Sequence, residues 1–176
     1  MKYIGIDTGS VSVKIVAFDE KGSRLYDSYE RHKGHPIPVL LERLKSLVQS
    51  GLLTSDCSLS VTGSAGKLIA SILGIEPVNE IVAQAYATHK LFPHIKTIIE
   101  MGGEDSKLIV LSKDGRSVTD FSMNSVCAAG TGSFLDQQAK RLGVSIEKEF
   151  GELAIKSENP PRIAGRCSVF AKSDMI

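Results

Sequence analysis

Short runs of β-branched and aromatic residues alternate with turn residues through the first thirty positions of the chain. This pattern is typical of strands joined by hairpins, whereas apolar residues spaced three and four apart indicate helices. The predicted strands span residues 3–6, 11–18, 24–30, 59–63, 97–100, 107–111 and 117–121, and the predicted helices span residues 39–48, 67–73, 80–91 and 132–141, followed by an amphipathic segment at 146–155. Strands that precede helices, with a three-stranded meander that occurs twice, predict an α/β fold with two related subdomains.

The two meanders match at a distance of 93 residues. In this register the matching pairs are Asp7 with Glu100, Gly9 with Gly102, Lys14 with Lys107, Gly22 with Gly115 and Asp27 with Asp120. We therefore predict a first subdomain at 1–95 and a second at 96–176. Because no further strands follow the second meander, we expect the second subdomain to be incomplete and the chain to be a piece of a longer protein.

Bulk composition excludes several classes of function. The 176 residues carry a net charge of +1 and are 42% hydrophobic, which indicates a globular protein and favours neither nucleic acid nor membrane as a partner. No signal peptide is evident, because the start runs directly into a strand. Three cysteines fit a reducing compartment better than a disulfide framework, so we expect a cytoplasmic protein.

Each meander bends at glycine beside acidic residues, which is what a protein needs to hold the phosphates and metal of a nucleotide. Glycine lets the backbone approach a phosphate closely, and loop N–H groups can donate to its oxygens. Carboxylates beside the loops could hold Mg²⁺ or orient an attacking water. The predicted residues are Gly9, Ser10, Ser12, Gly102 and Gly103 for the phosphates, Asp7 for Mg²⁺ through water, and Glu100, Glu104 and Asp105 for the metal or the water.

The alternative interpretation is a pair of ordinary hairpins with glycine and acidic residues at their turns. Two such hairpins in register, each with a matching lysine, make nucleotide binding the better interpretation. Lys14 and Lys107 themselves are interpreted as solvated strand residues rather than phosphate ligands.

Two cysteines lie in segments of small residues. Cys127 precedes a glycine-containing turn and a predicted helix start, a position that favours thiolate, and Cys167 follows Gly165 and Arg166. From chemistry alone, buried structural thiols are the commoner answer, as we expect for Cys57. Two thiolates are half the set that a [4Fe–4S] cluster takes, and a two-fold dimer could supply four. The four histidines show no pairing that indicates a site.

Four segments together resemble one known family. They are Ile4 to Ser10, Glu100 to Lys107, Asn124 to Leu135 with its Cys-Ala-Ala-Gly-Thr-Gly run, and Cys167 to Ala171. They resemble the BadF/BadG/BcrA/BcrD ATPase family, the activators of 2-hydroxyacyl-CoA dehydratases and the related benzoyl-CoA reductase subunits. Glu100 and Glu104 stand where many members carry Asp and Gln, and Lys172 makes the last segment more similar to large multidomain activases.

The resemblance implies an actin-like (ribonuclease H-like) ATPase fold and a homodimer with one [4Fe–4S] cluster between its subunits. Cys127 and Cys167 match the cluster ligands, and Gly130 and Gly132 lie in the same motif. The implied activity is ATP hydrolysis with Mg²⁺, coupled to transfer of a low-potential electron to a dehydratase- or benzoyl-CoA reductase-like partner. A ferredoxin or flavodoxin-like protein is implied as the upstream donor.

Two alternatives remain at the level of sequence. A sugar or small-metabolite kinase of the same fold would need an aspartate base between the lobes, and residues 123–132 contain none. A non-redox domain that only binds nucleotide is the other alternative.

Overall fold

The computed structural model describes residues 1–127 and 130–175 of the chain, so Ala128 and Ala129 of the cysteine motif lie outside the described residues. The strands are β1 (Lys2–Thr8), β2 (Ser12–Phe18), β3 (Arg24–Arg31), β4 (Cys57–Thr62), β5 (Thr97–Met101), β6 (Ser106–Leu111) and β7 (Val118–Asn124). The helices are α1 (Pro36–Gln49), α2 (Gly66–Leu73), α3 (Glu80–Leu91), α4 (Gly132–Leu142), α5 (Gly151–Ile155) and α6 (Ser168–Asp174), with a π-helical segment at Ile146–Phe150.

The first sheet has the strand order β3-β2-β1-β4. β1 pairs antiparallel with β2 and parallel with β4, so it is central, and its register places Ile6 opposite Ile15 and Val61. Successive side chains of a strand alternate between the two faces of a sheet. Asp7 therefore lies on the face opposite to that of Ile6.

One face of this sheet carries the core of the first half of the chain. Apolar residues of β1, β2 and β4 form a buried cluster with residues of α1 and α2: Ile4, Ile6, Val13, Ile15, Ala17, Leu40, Leu47, Val61, Ile69 and Ala70. Burial of this many large apolar side chains is the dominant favourable term in folding such a unit. The core thus holds the sheet from one side and leaves the face with Asp7 available for a site.

The ends of the helices follow from local sequence signals. Pro36 begins α1, where its missing N–H would have had no helical partner. The Asn79 side chain accepts from the N–H groups of Ile81 and Val82 at the start of α3. Gly74 and Gly143 end α2 and α4 in the left-handed conformation, which glycine adopts without strain.

The second sheet has the order β5-β6-β7, with β5 and β6 antiparallel. Its register places Glu100 directly opposite Lys107, as the first sheet places Asp7 opposite Lys14. The inner face of β6 is buried at Lys107, Ile109 and Leu111. A lysine thus occupies a position that would ordinarily hold an apolar side chain.

The chain divides into two compact units. One comprises Met1–Lys96 with Leu111–Thr119, and the other comprises Thr97–Val110 with Asp120–Ile176. The second unit begins beside the boundary predicted at residues 95 and 96. No helix within residues 1–127 and 130–175 combines the length and apolar character needed to cross a bilayer.

The predicted elements are confirmed in type, with their ends moved by one to three residues. The helix predicted at 80–91 is observed as α3, and the strand predicted at 117–121 extends to Asn124. The amphipathic segment predicted at 146–155 is helical, but its first five residues form a π-helix. Apolar spacing alone does not distinguish a wider helical turn from an α-helical one.

A prediction follows from the turn between β4 and α2. An added Cβ at Gly63 would lie 2.4 Å from Asp7 Oδ1 and 2.5 Å from the Thr8 carbonyl oxygen, and φ is +96°. We expect Gly63→Ala to lower the free energy of unfolding by at least about 3 kcal/mol, measured by urea denaturation.

Gly74→Ala is the matched control. Gly74 also has positive φ, at +68°, but a Cβ there would meet nothing within 4 Å. Its expected loss is therefore about 1–2 kcal/mol, from the left-handed backbone alone. Equal losses for the two variants would contradict the close packing of Gly63 against the end of β1.

Candidate functional site

The two glycine loops are closed by the same hydrogen bond. The Gly9 N–H donates to the Ser12 carbonyl oxygen at 3.0 Å, and the Gly102 N–H donates to the Asp105 carbonyl oxygen at 2.9 Å. These donors and acceptors occupy matching positions in the 93-residue register. The predicted repeat is therefore present in the backbone hydrogen bonds of both loops.

The far ends of the two hairpins match as well. Gly22 and Gly115 are both left-handed, with φ of +81° and +76°. The Gly22 N–H donates to the Asp19 carbonyl oxygen, and the Gly115 N–H donates to the Ser112 carbonyl oxygen. Glycine is required in this conformation because a Cβ would strain the backbone. The repeat thus covers a whole strand–turn–strand unit rather than an isolated motif.

In the first hairpin, Lys14 forms an ion pair with the carboxylate of Asp7. The distance from Lys14 Nζ to Asp7 Oδ2 is 2.9 Å, and Nζ lies 5.8 Å from the centre of the Tyr29 ring. The Lys14 side chain is 38% exposed. The ion pair orients one oxygen of Asp7 toward β2.

In the second hairpin, Lys107 pairs with two carboxylates. Its Nζ lies 3.0 Å from Glu100 Oε2 and 3.1 Å from Asp105 Oδ2, and its side chain is only 4% exposed. A buried ammonium requires such partners, because removing an ion from water is otherwise strongly unfavourable. The interpretation of Lys107 as a solvated residue is wrong; it is the buried counter-ion of the second loop.

The other oxygen of Asp7 lies under the turn that follows β4. Asp7 Oδ1 is buried and has no hydrogen-bond partner within the described part of the chain. Gly63 packs directly against it, and the Ala65 N–H donates to the carbonyl oxygen of Thr8. A buried carboxylate oxygen without a donor suits a cation or an ordered water. This environment therefore fits the predicted role of Asp7 in holding Mg²⁺ through water.

Asp7 and Lys14 also line an open cavity on their face of the first sheet. The cavity has a volume of about 710 Å³ and is bordered by α3 through Val82 and Tyr86. Its floor includes Gly5, where the absence of a side chain leaves space above the sheet. The first carboxylate–lysine pair is thus reachable from this side of the sheet.

The start of α4 is hydrogen-bonded to the second loop. The Gly132 N–H donates to the Gly102 carbonyl oxygen at 3.0 Å, and the Ser133 N–H donates to the Gly103 carbonyl oxygen at 2.8 Å. The first N–H groups of a helix have no partner within the helix, and here the loop supplies two. Gly102 itself is tightly packed, since a Cβ there would lie 2.5 Å from Asp105 Oδ1.

The remaining predicted residues have varied surroundings. Glu104 is exposed, Ser10 is half-buried, Ser12 is 3% exposed and Gly130 is left-handed. Asp7 lies in the first unit, whereas Glu100, Glu104 and Asp105 lie in the second. That the two sets of carboxylates face one cleft stays a prediction.

The cysteine segments differ from the expectation in one respect. Cys127 follows β7, but α4 begins only at Gly132, so Cys127 is more than a helical turn from that N-terminus. Because a helix dipole acts within the first turn, it gives no support for a thiolate at Cys127. Cys167, by contrast, is the residue immediately before α6. Both are free and half-buried.

Cys57 behaves as the sequence predicts for a structural thiol. It begins β4, and its sulfur donates to the carbonyl oxygen of Leu52 at 3.3 Å. Within residues 1–127 and 130–175, no three His, Cys, Asp or Glu side chains come together as a metal site. Two cysteines from one chain remain consistent with half of a shared set.

Sequence reasoning missed two residues of the first loop's surroundings. Gly63 was assigned only to a small-residue turn, and His32 was not assigned to any site. His32 is nevertheless buried, with its Nε2 3.1 Å from the carbonyl oxygen of Gly9. The available signal was its position at the end of β3 in a His-Lys-Gly turn, although nothing in that pattern identifies the acceptor.

The two lysines provide a matched stability test. We expect Lys107→Met to lower the free energy of unfolding by about 2–3 kcal/mol, because it leaves Glu100 and Asp105 without their buried partner. Lys14→Met should cost about 1 kcal/mol or less, since the pair with Asp7 is partly exposed. Urea denaturation of both variants measures the difference, and a larger loss for Lys14→Met would contradict the assignment of Lys107 as the buried counter-ion.

Comparison with known proteins gives consistent results. Residues 4–176 match the BadF/BadG/BcrA/BcrD ATPase family. The chain is 32% identical to the 2-hydroxyisocaproyl-CoA dehydratase activator of Clostridioides difficile, with 100% of this chain and 65% of the relative covered. The chain thus spans about two thirds of that relative's length.

Two solved structures are similar over 99% of this chain. The activator of 2-hydroxyisocaproyl-CoA dehydratase from Clostridium difficile, with bound ADPNP, has a TM-score of 0.82 at 30% identity, and this chain covers 64% of it. Component A of (R)-2-hydroxyglutaryl-CoA dehydratase from Acidaminococcus fermentans has a TM-score of 0.86 at 28% identity, and this chain covers 66% of it. These similarities confirm the predicted actin-like ATPase fold, and the chain belongs to the BadF/BadG/BcrA/BcrD ATPase family.

Proposed function

We propose that this chain supplies the phosphate loops and the cluster cysteines of an ATP-dependent reductive activator. The observation that carries the proposal is the pair of glycine loops closed by matching hydrogen bonds, Gly9 to Ser12 and Gly102 to Asp105. A protein that binds a nucleotide between two related subdomains needs such a loop from each. The bound ADPNP in the similar Clostridium difficile activator supports a nucleotide as the ligand.

The nucleotide part of the proposal assigns roles to both loops. Gly9, Ser10 and Ser12 contact phosphate from the first loop, and Gly102 and Gly103 contact it from the second. Asp7 holds Mg²⁺ through water, because its Oδ1 is buried without a hydrogen-bond donor among the described residues. Lys14 is not needed as a phosphate ligand, since its ammonium is occupied by Asp7.

The hydrolytic part uses the carboxylates of the second loop. Lys107 holds both Glu100 and Asp105, whereas Glu104 is exposed. We propose that one of these carboxylates orients the water that attacks the γ-phosphate. Phosphoryl transfer depends mainly on such positioning and on balancing charge, which a buried lysine beneath the carboxylates supports.

The redox part rests on Cys127 and Cys167. Both are free, half-buried thiols in the second unit, and together they form half of the four-thiolate set of a [4Fe–4S] cluster. When bound, such a cluster supplies one electron at low potential. Two chains related by a two-fold axis would complete the set, so we propose a homodimer.

The backbone connects the two parts. The carbonyl oxygens of Gly102 and Gly103 hold the start of α4, and the Cys127 segment leads directly into that helix. A change at the second loop on hydrolysis would therefore reach the cysteine segment through α4. Gly132 contributes its N–H to this connection, and Gly130 permits the left-handed turn before it.

The partner class follows from the relatives. Similar proteins are activators of 2-hydroxyacyl-CoA dehydratases, so we propose a dehydratase- or benzoyl-CoA reductase-like protein as the electron acceptor. A ferredoxin or flavodoxin-like protein would supply the electron, in the cytoplasm. The role of the second loop in coupling hydrolysis to this transfer is common to every partner in the class.

Iron content tests the redox part directly. Full-length protein produced and purified without oxygen should contain about four irons and four acid-labile sulfides per two chains. We expect Cys127→Ser and Cys167→Ser to lose this iron, because each removes one thiolate ligand from each subunit. Colorimetric iron and sulfide assays, with the absorption spectrum, provide the measurement.

The third cysteine supplies the control. Cys57→Ser removes a thiol bonded to Leu52 at the edge of the first sheet and should keep the full iron content. Wild-type protein without iron that still hydrolyses ATP would overturn the redox part and leave an actin-fold kinase or a nucleotide-binding domain. Loss of iron in all three variants would contradict the assignment of Cys127 and Cys167 as the ligands.

A further inference from the structure

His32 connects the end of β3 to the first glycine loop. Its side chain lies in a residue that is 6% exposed, and its Nε2 is 3.1 Å from the carbonyl oxygen of Gly9. Its Nδ1 is 3.1 Å from the backbone nitrogen of Gly34, and its own N–H donates to the Val11 carbonyl oxygen at 3.1 Å. The ring thus bridges the loop and the turn that follows β3.

These contacts define the tautomer of the ring. The Gly34 N–H can only donate, so Nδ1 is the acceptor and carries no proton. Neutral imidazole then has its proton on Nε2, which donates to the Gly9 carbonyl oxygen. One tautomer satisfies both hydrogen bonds at the same time.

The turn after His32 holds the Gly34 N–H in place. Gly34 has φ of +87°, and Lys33 has φ of +49°, the one positive value among the described residues other than glycine. A long side chain is uncommon in this left-handed region. The His35 N–H closes the turn on the His32 carbonyl oxygen at 2.8 Å. The turn therefore presents a fixed donor to Nδ1.

The hydrogen bond to Gly9 has a consequence for the next residue. The Gly9 carbonyl and the Ser10 N–H belong to one planar trans peptide, in which the two groups point in opposite directions. Holding the carbonyl oxygen against His32 therefore aims the Ser10 N–H away from the ring. The Gly9 N–H is also held, by Ser12, so both peptides around a residue without Cβ are restrained.

We propose that His32 is a positioning residue for the first phosphate loop, and that it acts by orienting the peptide between Gly9 and Ser10 toward the nucleotide. This inference rests on the proposed function of the loop. His32 touches neither phosphate nor metal in this scheme. It prevents the flexible glycine peptide from rotating, so the loop presents its N–H before the nucleotide binds.

Two substitutions separate the two hydrogen bonds of the ring. His32→Gln places an N–H near the position of Nε2 and retains the donor to Gly9. His32→Asn retains an acceptor near Nδ1 for Gly34, but its side chain is too short to reach Gly9. His35→Gln is the control, because His35 is exposed and forms no side-chain cap on α1.

The measurement is the affinity of full-length protein for Mg-ADP by titration calorimetry. We expect His32→Asn to weaken binding about fivefold to tenfold, the effect of one hydrogen bond, and His32→Gln to bind within about twofold of wild type. His35→Gln should bind as wild type does. Unfolding midpoints without nucleotide should be equal for the Asn and Gln variants, which separates loop positioning from loss of fold.

Several results would overturn the proposal. Equal affinity for wild type and His32→Asn would remove the role of His32 in the loop, and equal weakening by Asn and Gln would place its role in the turn. Ring nitrogen NMR of the wild type provides a check without variants, since a proton on Nδ1 contradicts the hydrogen bonds. Wild-type protein that does not bind Mg-ADP would overturn the proposed function first, and the nucleotide role of His32 with it.

Discussion

The site depends on one constraint: a glycine N–H that donates to the carbonyl three residues further along, once in each hairpin. This short bond between Gly9 and Ser12, and between Gly102 and Asp105, turns the chain back at the end of a strand. The strand that returns must then place its lysine directly opposite the acidic residue of the strand before. Loop closure, cross-strand register and the carboxylate–lysine pair are consequences of the same turn.

The two copies satisfy this constraint with different surroundings. The first loop is held by the His32 ring and by the turn at Gly63, and Lys14 remains partly exposed. The second loop is held by the start of α4, and its lysine is buried beneath two carboxylates. Mutation should therefore affect the copies unequally, with larger losses of stability in the second. A division of labour between binding in the first loop and hydrolytic positioning in the second fits this asymmetry.

Much of the fold could be predicted because its signals are local. Alternation of apolar residues identified the strands, helical spacing identified α1 and α3, and the match between Asp7 and Glu100 identified the repeat. Local patterns did not predict the π-helical segment at Ile146–Phe150 or the distance between Cys127 and the start of α4. Both depend on small differences in backbone geometry that a pattern of polarity does not contain.

The sequence by itself determined the α/β class, the repeat, the glycine loops and the family, since these depend on the order of residue types along the chain. Only the tertiary structure decided that Lys107 is buried, that Gly63 covers Asp7 and that His32 holds the loop at Gly9. The physical reason is that burial and hydrogen-bond partners are set by residues distant in the chain. His32 and Gly9 are 23 positions apart, and only the pairing of three strands brings the ring to the loop.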